Sequence, residues 1–137
     1  MIKKLLFVLT IAATICSCAN RGYPEGGPKD ETPPEILKEE PVNFATSFDK
    51  SKLKIYFNEY VQVKDANSNL MVSPPLKKKP SVSNRGKYIV VDFSRDTLKE
   101  NTTYSVDFGT SIADNNEGNP LGFYRYVFST GTQIDTM

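Results

Sequence analysis

The sequence contains no histidine. That excludes a Ser-His-Asp or Cys-His catalytic site, since both need an imidazole base. It has no G-x-S-x-G elbow and no P-loop, because "SNRGK" (residues 83–87) lacks the first glycine. Carboxylate pairs such as Glu39/Glu40 and Asp114/Glu117 exist, but in short polar stretches that solvate turns, so no enzyme is expected. No cofactor is expected either. Apolar runs of the ~20 residues that a membrane helix requires are missing. Convincing helical periodicity is missing too. Cysteine is nearly absent: Cys16 and Cys18 are the whole supply. A metal pair would need further Cys or His ligands, which the chain lacks, so no metal centre is expected there. A bridge between cysteines two positions apart would close a strained ring.

The two cysteines follow Lys3, Lys4 and the apolar stretch "LLFVLTIAATICSC" (residues 5–18). A charged start before a short apolar run reads as a secretion signal. "ICSC" resembles the lipobox of bacterial lipoproteins, with aliphatic Ile15, small Ser17 and the acceptor Cys18. The resemblance implies a signal peptide over residues 1–17 and a palmitate-type acyl anchor on Cys18. Several buried acyl chains hold a protein stably at a membrane. Ordinary cleavage after Ala19, with Ser17 and Ala19 as the small pair, is the alternative. Ala19, where inner-membrane lipoproteins carry Asp, points to the outer membrane, on its periplasmic or cell-surface side.

The whole chain has a net charge of +1. Two of its 17 basic residues fall in the signal, leaving 15 against 16 acidic ones. A near-neutral mature chain argues against nucleic acid as a partner. Residues 18–33 contain "ANRGYPEGGPKDETP", rich in Gly and Pro and without period, and read as a flexible tether.

Residues 34–131 have the length of one small sandwich domain. Short segments alternate with period two between turn signals. Leu53, Ile55 and Phe57 share one face of "KLKIYFN"; Ile89, Val91 and Phe93 share one of "KYIVVDF"; Tyr104, Val106 and Phe108 share one of "TYSVDFG". "FYRYVFS" (residues 123–129) closes the set, and "PEILKEEP" and "NLMVSPP" add proline-marked edge strands. The expected fold is all-β: one antiparallel Ig-like β-sandwich of about seven strands. In "LKENTTY", the spacing of Leu98, Thr102 and Tyr104 matches a tyrosine corner, which makes Tyr104 a buried structural residue.

These segments resemble the bacterial Ig-like domains first described in S-layer proteins, in the form found near the N-terminus of Gram-negative surface lipoproteins. The resemblance rests on "DETPPEILKEEPVN", "KIYFNEYV" with Phe57, "LKENTTYSVDF", and "IADNNEGNPL" followed by "YVFSTG". One departure is Tyr60, where many members carry proline. Membership implies a spacer, adhesion or assembly module rather than an enzyme, the alternatives being a glycan-binding domain of a polysaccharide-capture system or an accessory domain of a longer enzyme. Members continue into further domains, so residues 132–137 are expected to begin a truncated downstream segment, and the partner to be that downstream domain or an envelope protein.

Four surface features complete the reading. "DNNEGN" offers Asp114 and Asn116 as oxygen ligands for calcium, but the EF-hand spacing fails at Gly118 and Arg125, and the same residues favour turns. "PPLKKKP" (residues 74–80) either touches anionic lipid or polysaccharide or blocks edge-to-edge pairing. Tyr56, Phe123, Tyr124 and Tyr126 are candidate interaction residues, for a protein or for glycan stacking, with cross-strand pairing as the alternative. "FYRYVF" is read as aromatic on both faces, its second face needing cover. Thr97, in "DTL", resembles a short O-glycosylation signal.

Overall fold

The computed structural model describes residues 1–3 and 26–135. The lipid acceptor expected at Cys18 lies outside them, as do Thr136 and Met137. Nine strands follow one another: β1 (Ile36–Glu40), β2 (Lys52–Phe57), β3 (Val61–Val63), β4 (Met71–Ser73), β5 (Ser81–Asn84), β6 (Tyr88–Asp92), β7 (Thr103–Gly109), β8 (Ile112–Asp114) and β9 (Tyr124–Ser129). A single helical turn, α1 (Ala66–Asn69), sits between β3 and β4. One alanine and three polar residues carry no apolar period, which is why the sequence gives no sign of it.

The strands form an antiparallel sheet in the order β1-β2-β6-β5, a second in the order β4-β7-β9, and a ribbon of β3 and β8. The short ribbon takes the count beyond seven. In β2, Leu53, Ile55 and Phe57 are buried while Lys52 and Lys54 are exposed. The register sets Leu53 opposite Val91 and Ile55 opposite Ile89, so one sheet presents a continuous aliphatic layer. The facing sheet supplies aromatics, with Tyr104 opposite Phe128 and Val106 opposite Tyr126. Phe48 packs on Phe128 with ring centroids 4.3 Å apart, and Phe93 and Tyr104 each lie 5.5 Å from it. Fully burying one such side chain contributes about 1.5–3 kcal/mol, so this aromatic knot is a large part of the driving force.

β7 is buried on both faces from Thr103 to Phe108. Its core face is apolar, while its outer face carries Thr103, Ser105 and Asp107. These are small or paired: Asp107 accepts from Arg125 (Nη2 at 3.0 Å), and Thr103 Oγ1 accepts the Asp135 N–H at 2.9 Å.

The closing strand differs from expectation in its aromatic pattern. Tyr124, Tyr126 and Phe128 lie on one face by strand parity, so β9 is not aromatic on both; Phe123 precedes the strand. Nor is its outer edge open. After β1 the chain crosses between sheets, and residues 42–48 run alongside β9. Phe44 N–H donates to Val127 O at 2.7 Å, Ser129 N–H to Ala45 O at 2.9 Å, and Phe48 N–H to Ser129 O at 2.9 Å. Ala45 and Phe128 form a parallel bridge. Residues 132–135 are not a strand; their described end turns back onto Thr103.

Candidate functional site

At the pole where β7 ends, the loop after β8 is built on Asp114, which is 1% exposed. Its Oδ1 accepts the N–H groups of Glu117 (2.7 Å) and Gly118 (2.9 Å), and Oδ2 accepts that of Asn119 (2.8 Å). Burial pushes its pKa up, but the N–H groups of Gly118, Asn119 and Glu117 outweigh that and hold it below the ordinary value. Gly118 has φ of +81°. A positive φ is cheap for glycine, and the tight loop around the carboxylate requires it here. This is the turn form of "DNNEGN". The calcium form would need carboxylate oxygens that already accept three N–H donors, and Asn116 points to solvent as an exposed residue.

The same loop holds the incoming chain. Asn119 Nδ2 donates to Asp30 O at 2.9 Å and to Thr32 O at 3.3 Å. The domain therefore grips the chain from Asp30, before the expected start at residue 34. Glu59 belongs to this acidic end: burial, then the charges of Asp114, Asp30 and Glu117, raise its pKa.

At the opposite pole, Tyr104 anchors the loop between β6 and β7. Its hydroxyl accepts the Lys99 N–H at 2.9 Å while the ring is 1% exposed. Leu98 packs against the core beside it. Thr130 Oγ1 donates to Lys99 O at 2.7 Å and accepts Thr102 N–H at 3.0 Å, tying that loop to the end of β9. Thr97 is exposed on this loop; its N–H donates to Asp96 Oδ1 at 2.8 Å. A shallow cleft of about 380 Å3 lies here, with Phe48, Phe93 and Leu98 beneath and Lys50 and Glu100 at its rim.

The four candidate surface aromatics do not converge. Tyr56 stacks on Tyr88 at 5.2 Å, Lys38 lies over its ring, and its hydroxyl donates to Glu40 at 3.0 Å. This is the cross-strand pair, with no free ring face for a sugar. Tyr124 is half-buried against Phe108, and its hydroxyl donates to Glu39. Tyr126 is fully buried and is not a surface residue: the sheet-crossing segment covers it, and its hydroxyl donates to Pro41 O at 2.7 Å. Phe123 alone stands clear of the surface, 71% exposed.

Phe57 and Phe108 are core residues, 2% and 0% exposed. The hydroxyl–carboxylate contacts are not those of an activated nucleophile. Hydrogen bonding to Glu40 raises the Tyr56 pKa. Burial, then the Glu39 hydrogen bond, pushes Tyr124 far up, and burial does the same to Tyr126. Each tyrosine is held protonated, the reverse of activation.

Sequence reasoning missed the polar residues that fasten the domain. Asn43 bridges the sheet-crossing segment to β9, Glu39 holds both Tyr124 and the Asn43 N–H (3.0 Å), and Asn84 Nδ2 donates to Val61 O. Only the position of Asn43 just after "EEPV", where the chain must leave its strand, hinted at any of this.

Nine paired antiparallel strands in two sheets and a ribbon, a tyrosine corner and a segment crossing from one sheet to the other are the marks of an Ig-like domain. The family model for the bacterial Ig-like domain matches residues 30–130. The chain belongs to that family. No curated protein matches it. Among solved structures, the L,D-transpeptidase from Mycobacterium smegmatis is similar at 17% identity and a TM-score of 0.44. That likeness covers 73% of this chain and 41% of the transpeptidase, so the chain spans less than half of it. PcoC, a methionine-rich copper resistance protein from Escherichia coli, is similar at 20% identity and a TM-score of 0.47, over 69% of this chain and 95% of PcoC. Neither likeness bears on what this Ig-like chain does. No helix among the described residues is long and apolar enough to cross a membrane.

Proposed function

We propose that this bacterial Ig-like chain is a lipid-anchored spacer and assembly module of the outer membrane, held by acyl chains on Cys18. The observation that carries the reading is the placement of its two ends. The incoming chain is bonded at Asp30 beside the loop after β8, and the outgoing segment is bonded at Asp135 beside the start of β7. Seven residues of β7 separate these poles, roughly 24 Å at ~3.4 Å per residue. A module entered at one pole and left at the other adds its length to whatever it carries.

The lipobox supplies the anchor in this reading, and the protonated, structurally engaged tyrosines support a non-catalytic role. Cys18→Ala tests it. The variant should accumulate as an unprocessed precursor that takes up no labelled fatty acid. Normal labelling of Cys18→Ala together with loss of labelling in Cys16→Ala would reject the assignment.

A further inference from the structure

Two hollows at the far pole run into one another. The first, about 270 Å3, lies along edge strand β4, between Leu70, Val72, Leu76 and Pro80. The second, about 190 Å3, continues from Pro75 and Leu76 toward Lys77, Asp96 and Lys99, with Tyr104 beneath. The shared residues Pro75 and Leu76 make them a single groove.

Its chemistry is uneven. The walls are aliphatic: Leu70 is 3% exposed, Val72 and Leu76 are half-buried, and Met71 stands out at 65%. The charges are lysines, namely Lys77, Lys79 and Lys99. Asp96 is the acidic residue of the lining, and its work is structural. Its Oδ2 accepts the Lys78 N–H at 3.0 Å and its Oδ1 the Thr97 N–H, which pins the lysine loop to the loop before β7. The lysines are therefore presented by a fixed backbone. β4 itself is the edge of the β4-β7-β9 sheet, and among the described residues no backbone hydrogen bond is made on its outer side.

We infer that this groove docks an extended acidic peptide segment of a neighbouring protein, one that alternates carboxylate and aliphatic side chains. An exposed sheet edge gives main-chain pairing to a strand, and adjoining pockets read alternate side chains. The hollows take the aliphatic residues, and Lys77 and Lys99 pair with the carboxylates. A polysaccharide fits less well. Sugar rings want an open aromatic face, whereas the tyrosine here is 1% exposed and the exposed Phe44, Tyr60 and Phe123 are not among the lining residues. The inference stands apart from the anchor at Cys18, since the groove is formed wholly within residues 70–104.

The test uses the full chain in non-ionic detergent and a fluorescein-labelled hexapeptide alternating glutamate with leucine, followed by anisotropy. Saturable binding is expected, at least ~10-fold tighter than for the same peptide with lysine in place of glutamate, and weaker as salt screens the charges. Lys77→Glu with Lys99→Glu should weaken it by a further ~10-fold or more, because both signs now repel. Arg85→Glu, exposed at the opposite pole, should leave it unchanged. Equal affinity for the two peptides, or no loss in the double variant with its circular dichroism intact, overturns the proposal. So does tighter saturable binding of polygalacturonate than of the acidic peptide, which would assign the groove to a polysaccharide.

Discussion

The side-chain oxygen of Asn43 accepts the backbone N–H of Val127 at 2.7 Å, joining positions 84 apart in the chain. The same oxygen accepts the Phe44 N–H at 3.0 Å, and Nδ2 donates to Arg125 O at 3.2 Å. One amide thus satisfies three backbone groups where the chain leaves one sheet for the other. Asn43→Ala should cost about 1–3 kcal/mol, since it strands a part-buried donor. Asn43→Asp keeps the acceptor but sets a carboxylate oxygen against Arg125 O in place of the donor, so it should lose stability too. Urea unfolding followed by circular dichroism reads both; a wild-type midpoint for Asn43→Ala would contradict this account.

Tyr104 separates hydrogen bonding from packing. Tyr104→Phe keeps the ring stacked on Phe128 but removes the acceptor of the Lys99 N–H. A loss of about 1–3 kcal/mol is expected. Tyr104→Leu should lose more, because the aromatic knot around Phe128 opens as well. Equal stability of Tyr104→Phe and wild type would mean that the corner is held by packing alone.

Asp114 ties stability to pH. Its folded pKa lies below the ordinary aspartate value of 3.8, so its contribution is present above that value and is lost as pH falls through the folded one. Asp114→Asn should be less stable than wild type at neutral pH, and the gap between them should close under strong acid. A gap independent of pH would remove the carboxylate from the explanation. Millimolar calcium should leave the melting temperature of wild type unchanged, because a ligand of the folded state would raise it.

Much of the core was legible because burial and strand parity coincide. Leu53, Ile55 and Phe57 in β2, and Ile89 and Val91 in β6, sit where period two puts them. β9 was harder. Its aromatics begin one residue before the strand, so Phe123 looks like part of the pattern although it lies outside the ladder. The burial of Tyr126 was illegible for another reason. It depends on residues 42–48 returning to cover it, a contact across 84 or more positions that no local period encodes. The surface roles of Asn119 and Asp96 were hidden in the same way, since each acts on a loop distant in sequence.

The alignment of residues 42–48 with β9 has a mechanical consequence. The two segments point the same way, and their bonds include Phe44 to Val127, Ala45 to Ser129 and Ser47 to Gly131. Tension applied between Asp30 and Asp135 slides one segment along the other. Every rung of that short ladder is then strained at the same moment, whereas a hairpin peeled from its tip gives way one rung at a time. The segment that hides Tyr126 is thus placed as a shear clamp against tension between entry and exit.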